Sequence, residues 1–206
     1  MMSNPNHCMR VDERGRVVIG RRSTPVPQYG PMHVVLFGAG HVGHALVTLL
    51  GMLPCVVQWV DERDELFPDE VPANVQVEAT DTPASIVDEA PPGAYFIVMT
   101  HNHALDFELT ERIMRRRDFA WFGLIGSKTK RVKFERRLIE RGFDAERMDE
   151  MTCPIGVTGI VDKAPSAIAV AVAAQLMQMR IPLRMTAPVA TEMAADVAMD
   201  RQHARA

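Results

Sequence analysis

The sequence predicts an α/β fold, a parallel sheet wound by helices on both faces, and three observations predict it. Short apolar runs alternate with helical runs from residue 33 to residue 179. Several of these runs are apolar without alternation, which suits strands buried on both faces. The first of them ends in Gly38-Ala39-Gly40-His41-Val42-Gly43 and a helical run follows. That strand–turn–helix setting is what a Rossmann-like, doubly wound parallel sheet requires of its glycine fingerprint. Crossovers between such strands are right-handed.

Residues 1–31 read as an irregular lead-in and linker. Within them Asp12 to Gly15 reads as a turn and Arg16 to Ile19 as a short strand, while Pro25, Pro27, Gly30 and Pro31 mark the linker. The Rossmann-like domain is expected over residues 32–182. Val34 to Phe37 is its first strand, and His41 to Leu53 a helix that Pro54 stops. Cys55 to Val60, closing on Asp61, is the second strand, and Val75 to Val77 a weaker third. Thr82 to Glu89 is a short helix that Pro83 opens as its first residue. Ala94 to Met99, β-branched and aromatic, is the fourth strand. Ala104 to Arg117 is a helix and Ala120 to Ile125 a fifth strand. Ser127 to Arg141 is strongly helical, with Gly142 as its C-cap. A loop from Cys153 to Ala164 leads to an alanine-rich helix, Pro165 to Met179. Residues 183–206 read as a tail of weak helix or disorder. There is no internal repeat.

Composition sets the outer limits. A chain of 206 residues suits one domain, and 47% hydrophobic residues suffice for a core. A net charge of -3 and a pI near 6.2 argue against nucleic acid as a partner. The arginine-rich runs Arg112 to Arg117 and Arg131 to Arg141 are interleaved with Glu111, Glu135 and Glu140, as solvated helix faces are. Met1 to Arg10 is polar, so no secretory signal is expected, and no run of about 18 apolar residues predicts a membrane span. Cys8, Cys55 and Cys153 are odd in number and form no C-x-x-C pair, which fits a reducing cytoplasm.

Four segments carry chemistry. In the first, Gly38 permits the tight turn, Gly40 removes a Cβ that would block a pyrophosphate, and Gly43 lets helix and strand approach. The free N–H groups of His41 and its neighbours then face an anion. Asp61 stands where an acidic residue takes a ribose hydroxyl pair, and would favour NAD over NADP. The second segment is Thr100-His101-Asn102-His103 with Asp106 one turn on, at the carboxyl edge of the sheet. His101 and His103 suit proton transfer or metal ligation, but H-x-H lacks a third ligand. The plainer reading has Asp106 capping a helix. The third is Gly126-Ser127-Lys128-Thr129-Lys130-Arg131. Ser127 is a natural N-cap, and Lys128, Lys130 and Arg131 crowd a helix start that disfavours cations unless an anion is near. A solvated basic turn is the alternative. The fourth is Cys153-Pro154-Ile155-Gly156-Val157-Thr158-Gly159-Ile160. Cys153 there is either an exposed thiolate for a soft metal or sulfur-bearing cofactor, or a small buried residue.

Taken in order, these segments resemble one family. Val35-Leu36-Phe37-Gly38-Ala39-Gly40-His41-Val42-Gly43 and Val57-Gln58-Trp59-Val60-Asp61-Glu62-Arg63, with Phe67-Pro68, are similar to the C-terminal domain of the xanthine dehydrogenase accessory proteins, XdhC/CoxI. So are Thr100-His101-Asn102-His103-Ala104-Leu105-Asp106, Gly123-Leu124-Ile125-Gly126-Ser127-Lys128 with Lys130-Arg131, and Cys153-Pro154-Ile155-Gly156 with Gly159-Ile160 and Ile168-Ala169-Val170. The similarity covers about residues 33 to 180. It implies a largely non-catalytic chaperone role. Members bind the molybdenum cofactor (molybdopterin), support its sulfuration with a cysteine desulfurase, and help insert it into xanthine dehydrogenase, an enzyme of purine catabolism. Usual members also carry a separate N-terminal domain with its own Gly- and Cys-containing motif. Here a short lead-in stands in its place, and Cys8 has no matching context.

The expectation is therefore a cofactor-binding and handover protein. Its pterin phosphate would lie on the Gly38–Gly43 or Ser127 turn, with Lys128, Lys130 and Arg131 offsetting charge and His101, His103 and Cys153 at the rim. An NAD(P)-dependent oxidoreductase using the same glycine turn is the rival. An adaptor that binds xanthine dehydrogenase without any small ligand is a third reading. Homodimerisation is an expectation from the frequency of dimers alone.

Overall fold

The computed structural model describes residues 7–11, 17–21 and 30–180. The chain divides into two compact units, one holding residues 1–29 and 182–206 and the other residues 30–181. In the first unit β1 (His7–Val11) pairs with β2 (Val17–Arg21) antiparallel, from His7 opposite Arg21 to Val11 opposite Val17. The short strand expected at 16–19 thus falls largely within β2, while β1 lies in a stretch read as irregular. The turn at 12–15, Pro25, Pro27 and the tail at 183–206 lie outside the described residues.

In the second unit the alternation of the sequence becomes a six-stranded parallel sheet. Its elements are β3 (Met32–Phe37), α1 (His41–Leu50), β4 (Cys55–Asp61), β5 (Val75–Ala79), α2 (Pro83–Glu89), β6 (Tyr95–Val98), α3 (His103–Arg115), β7 (Trp121–Leu124), α4 (Lys128–Glu140), β8 (Met151–Thr152) and α5 (Pro165–Met179). The sheet order is β5-β4-β3-β6-β7-β8. Counted within this sheet, that is the 3-2-1-4-5-6 order of dinucleotide-binding folds.

Why these runs are strands is visible in their burial. Along β3, Val34 and Leu36 pack into one core cluster and Val35 and Phe37 into another. A strand facing apolar layers on both sides has no polar alternation to show. One cluster joins the sheet to α2, α3 and α4; the other joins it to α1 and α5. Helices on both faces are therefore present, as expected.

The boundaries shift at the ends. α1 stops at Leu50 rather than Leu53, with Gly51 as its C-cap and Met52 and Leu53 bonded in short turns to Leu49 and Leu50. α3 stops at Arg115 rather than Arg117. Gly142 follows the α4 cap at a φ of 88°, where an L side chain is strained. The final strand, β8, has two residues and had no readable pattern of its own. The strand order reverses between β3 and β6, so their carboxyl ends flank the switch-point crevice.

Candidate functional site

The glycine turn connects β3 to α1, and its three glycines lack a side chain for different reasons. Gly38 has a φ of 119°, and a Cβ there would lie 2.4 Å from the Met99 carbonyl oxygen at the end of β6. A Cβ on Gly43 would lie 2.2 Å from the Gly38 carbonyl oxygen. Both are demanded by the fold. Gly40 is not: its φ is -78°, and a Cβ there would meet nothing within 4 Å. The space over Gly40 is free of protein, and no side chain caps α1. Its first turn holds no acidic residue, so nothing in it repels an anion.

The turn is fastened from β4. Gly38 N–H donates to the Val60 carbonyl at 2.8 Å, and Trp59 Nε1–H donates to the Gly38 carbonyl at 3.0 Å. Ala39 N–H donates to Asp61 Oδ2 at 2.7 Å. Trp59 is itself held edge-on between His44 and Phe67. This explains why Trp59 and Phe67 accompany the fingerprint.

Asp61 does not stand free to meet a ribose. Besides Ala39, it accepts from Arg63 N–H at 3.0 Å, from Arg63 Nε at 2.9 Å on Oδ1, and from Arg63 Nη2 at 3.0 Å on Oδ2. Burial pushes its carboxyl pKa up, but the hydrogen bonds from Arg63 and Ala39 outweigh that and hold it below the ordinary range. The Arg63 guanidinium lies over it and lines the cleft above the turn.

Beyond β6 the Thr100–Asp106 segment is tied to α4. Asn102, not Asp106, caps α3, accepting from Ala104 N–H at 2.9 Å and Leu105 N–H at 3.4 Å. Asp106 is buried and accepts from Thr100 N–H at 3.1 Å and Thr100 Oγ1 at 2.7 Å. Its other oxygen accepts from Lys130 Nζ at 2.5 Å. Lys130 also donates to the Ile125 carbonyl at 2.8 Å, and its side chain is 10% exposed. Its charge is therefore offset inside the fold, and the crowding of cations at the α4 start is relieved in part by Asp106. Ser127 caps α4 as expected, accepting from Lys130 N–H at 3.2 Å. Arg131 pairs with Glu135 at 2.5 Å and Asp149 at 3.3 Å, and donates to the Cys153 carbonyl at 3.4 Å. Lys128 is exposed.

Cys153 is buried in the same core cluster as Phe134 and Leu138 of α4. Burial pushes its thiol pKa up, and the charges of Lys130 and Arg131 do not offset this. The rim position expected for it is replaced by a protonated, packed thiol. Among the described residues no group of three His, Cys, Asp or Glu could hold a metal, so His101 and His103 gain no third ligand.

A cleft of about 560 Å³ opens over the turn, lined by Gly40, His41, Gly43, Arg63, Thr100 and His101 among others. Its size suits a small cofactor. His103, Ser127 and Lys130 instead border a separate basic groove of about 740 Å³ along α4. Lys128, Arg131 and Cys153 line neither. Sequence reading missed Arg63 and Trp59 as site residues. An acidic strand end followed two positions later by arginine was the available signal for the first.

Residues 34–176 match the profile of the XdhC Rossmann domain. A protein described as uncharacterized, YqeB of Escherichia coli, is 27% identical over 150 residues, 71% of this chain and 27% of its own length. A solved chain from Bacillus halodurans, described as a xanthine dehydrogenase, is similar with a TM-score of 0.60 at 24% identity, over 72% of this chain and 42% of that one. Likeness at that identity shows the fold. The chain thus spans less than half the length of either relative. No helix among the described residues is long and apolar enough to cross a membrane.

Proposed function

The chain belongs to the XdhC Rossmann-domain family, and from that premise we propose that it is an accessory protein to a xanthine dehydrogenase, holding molybdenum cofactor at the Gly38–Gly43 turn for handover. The observation that carries this reading is Gly40, the one glycine of the turn whose missing side chain the fold does not require. A Cβ there would fill the space that an approaching phosphate needs. The α1 amides and Arg63 offer donors for that phosphate, and His41, Thr100 and His101 border the rest of the ligand. The cofactor, when bound, supplies the redox metal its enzyme uses; this chain's residues bind and orient it. The cleft is open to solvent along the sheet edge rather than sealed, which suits a protein that must release what it captures.

Sulfuration, on this reading, is chemistry brought by a cysteine desulfurase. Cys55 and Cys153 are both buried, so neither is placed to carry sulfur to the bound cofactor, and on this reading the sulfur comes from the partner. Retention of molybdenum cofactor by the purified chain tests the site. Wild type should retain it and Gly40→Val should lose at least about tenfold in affinity. No retention by wild type, or equal retention by the variant, overturns the reading.

The strand order also favours a second reading, an NAD(P)-dependent oxidoreductase. Titration with NADH followed by its fluorescence separates the two. Micromolar binding together with turnover of a carbonyl substrate would favour the oxidoreductase.

A further inference from the structure

A carboxylate has about four lone-pair positions. In Asp61 four hydrogen bonds fill them: two on Oδ1, from Arg63 N–H and Nε, and two on Oδ2, from Ala39 N–H and Arg63 Nη2. Nothing is left to accept from a pair of ribose hydroxyls. Those hydroxyls need an acceptor at this strand end, and a site without one leaves them unpaired.

The guanidinium tells the complementary half. Arg63 uses Nε and one N–H of Nη2 on Asp61. Both N–H groups of Nη1 and the second on Nη2 remain, on a side chain 32% exposed that lines the cleft. Charge-assisted donors in a planar fork match a phosphate. Glu62 and Glu65 lie close enough to act on Arg63 electrostatically. Without the guanidinium, this edge of the cleft would be acidic.

We infer that Arg63, by saturating Asp61, converts the end of β4 from an acceptor of ribose hydroxyls into a donor for a phosphate monoester. This rests on the cleft being the ligand site proposed above and names the class of ligand that it selects. Two sources share that chemistry: the terminal phosphate of molybdopterin, and the 2′-phosphate that distinguishes NADPH from NADH. The inference reverses the preference that Asp61 alone suggests in the sequence.

The test is titration of wild type and Arg63→Gln with NADH, NADPH and molybdenum cofactor. Arg63 is partly exposed and outside the core, and the urea midpoint of the variant verifies its folding. Wild type should bind at least one of the two phosphate monoesters, at least about tenfold more tightly than it binds NADH. Arg63→Gln should lose about tenfold or more for that ligand and gain for NADH, because the two positions on Asp61 that the guanidinium fills are released. Whichever monoester responds identifies the source.

Equal binding of the monoester ligands by wild type and variant overturns the inference. So does NADH binding by wild type as tight as theirs, or no monoester binding at all. Cofactor retained equally by Arg63→Gln, yet lost in Gly40→Val, sinks the role of Arg63 and leaves the accessory reading standing. NADPH bound through Arg63, with no cofactor retained, sinks the accessory reading and leaves Arg63 its role.

Discussion

A valine at position 40 would meet nothing beyond its own chain neighbours within 4 Å of its Cβ, and the backbone there is already extended. Its stability should stay within about 0.5 kcal/mol of wild type in urea unfolding while ligand binding fails. Gly38→Ala should behave oppositely. Its φ of 119° and its contact with the Met99 carbonyl should destabilise the fold by about 1–3 kcal/mol or more. A variant pair with these two signatures separates a residue reserved for a ligand from one reserved for the turn. Asp61 gives a pH signature. Its folded pKa is depressed, so its bonds stabilise the native state above the ordinary carboxylate range and cease to do so as pH falls through the folded value. Asp61→Asn should therefore lie below wild type in stability at pH 7, with the gap closing in strong acid. The fingerprint glycines were legible in the sequence because their constraints act within a few residues. Trp59 was not, because its bond to the Gly38 carbonyl depends on β4 lying beside β3; the Asp61–Arg63 spacing was local and readable, but that Arg63 lines the cleft over the turn was not. Lys130 was misjudged for the same reason: its partner Asp106 lies on a different helix.

Helices α3 and α4 are joined by that Lys130–Asp106 pair, in which the aspartate side chain is 2% exposed. Lys130→Met would leave a buried carboxylate without its cation, and such losses run to about 3–5 kcal/mol. Asp106→Asn combined with Lys130→Met should recover much of that loss, since the uncompensated charge is gone. Chemical denaturation of the single and double variants measures both. The pair also fixes the Thr100 loop through Asp106, so the single variant should loosen one wall of the cleft as well as the helix contact. Element types were legible where a strand or helix was long enough to show a period. Helix ends were less so, since Gly51 continues a helical turn after α1 without extending it. The two-residue β8 left no pattern at all; its place is set by pairing Met151 with Phe122 and Thr152 with Gly123.

In the second unit as a whole, both described cysteines are sealed in the core and the Cys153 thiol is held protonated by burial. Alkylation mapped by mass spectrometry should leave Cys55 and Cys153 unmodified in the native protein and label both once denaturant passes the unfolding midpoint. Labelling of Cys153 before that point would mean that the wall under α4 opens separately. That the sheet is parallel was readable from alternation alone, but which residues share a cleft was not. His101 and His103, two positions apart, border different depressions. The glycine turn, the tryptophan that fastens it and the guanidinium beside it all come from one uninterrupted stretch, residues 38 to 63. Such a stretch is inheritable as a cassette. Grafted onto another sheet of the same order, it should carry the proposed preference for phosphate along, while Thr100 and His101, drawn from a distant segment, remain free to drift toward whatever else the ligand bears.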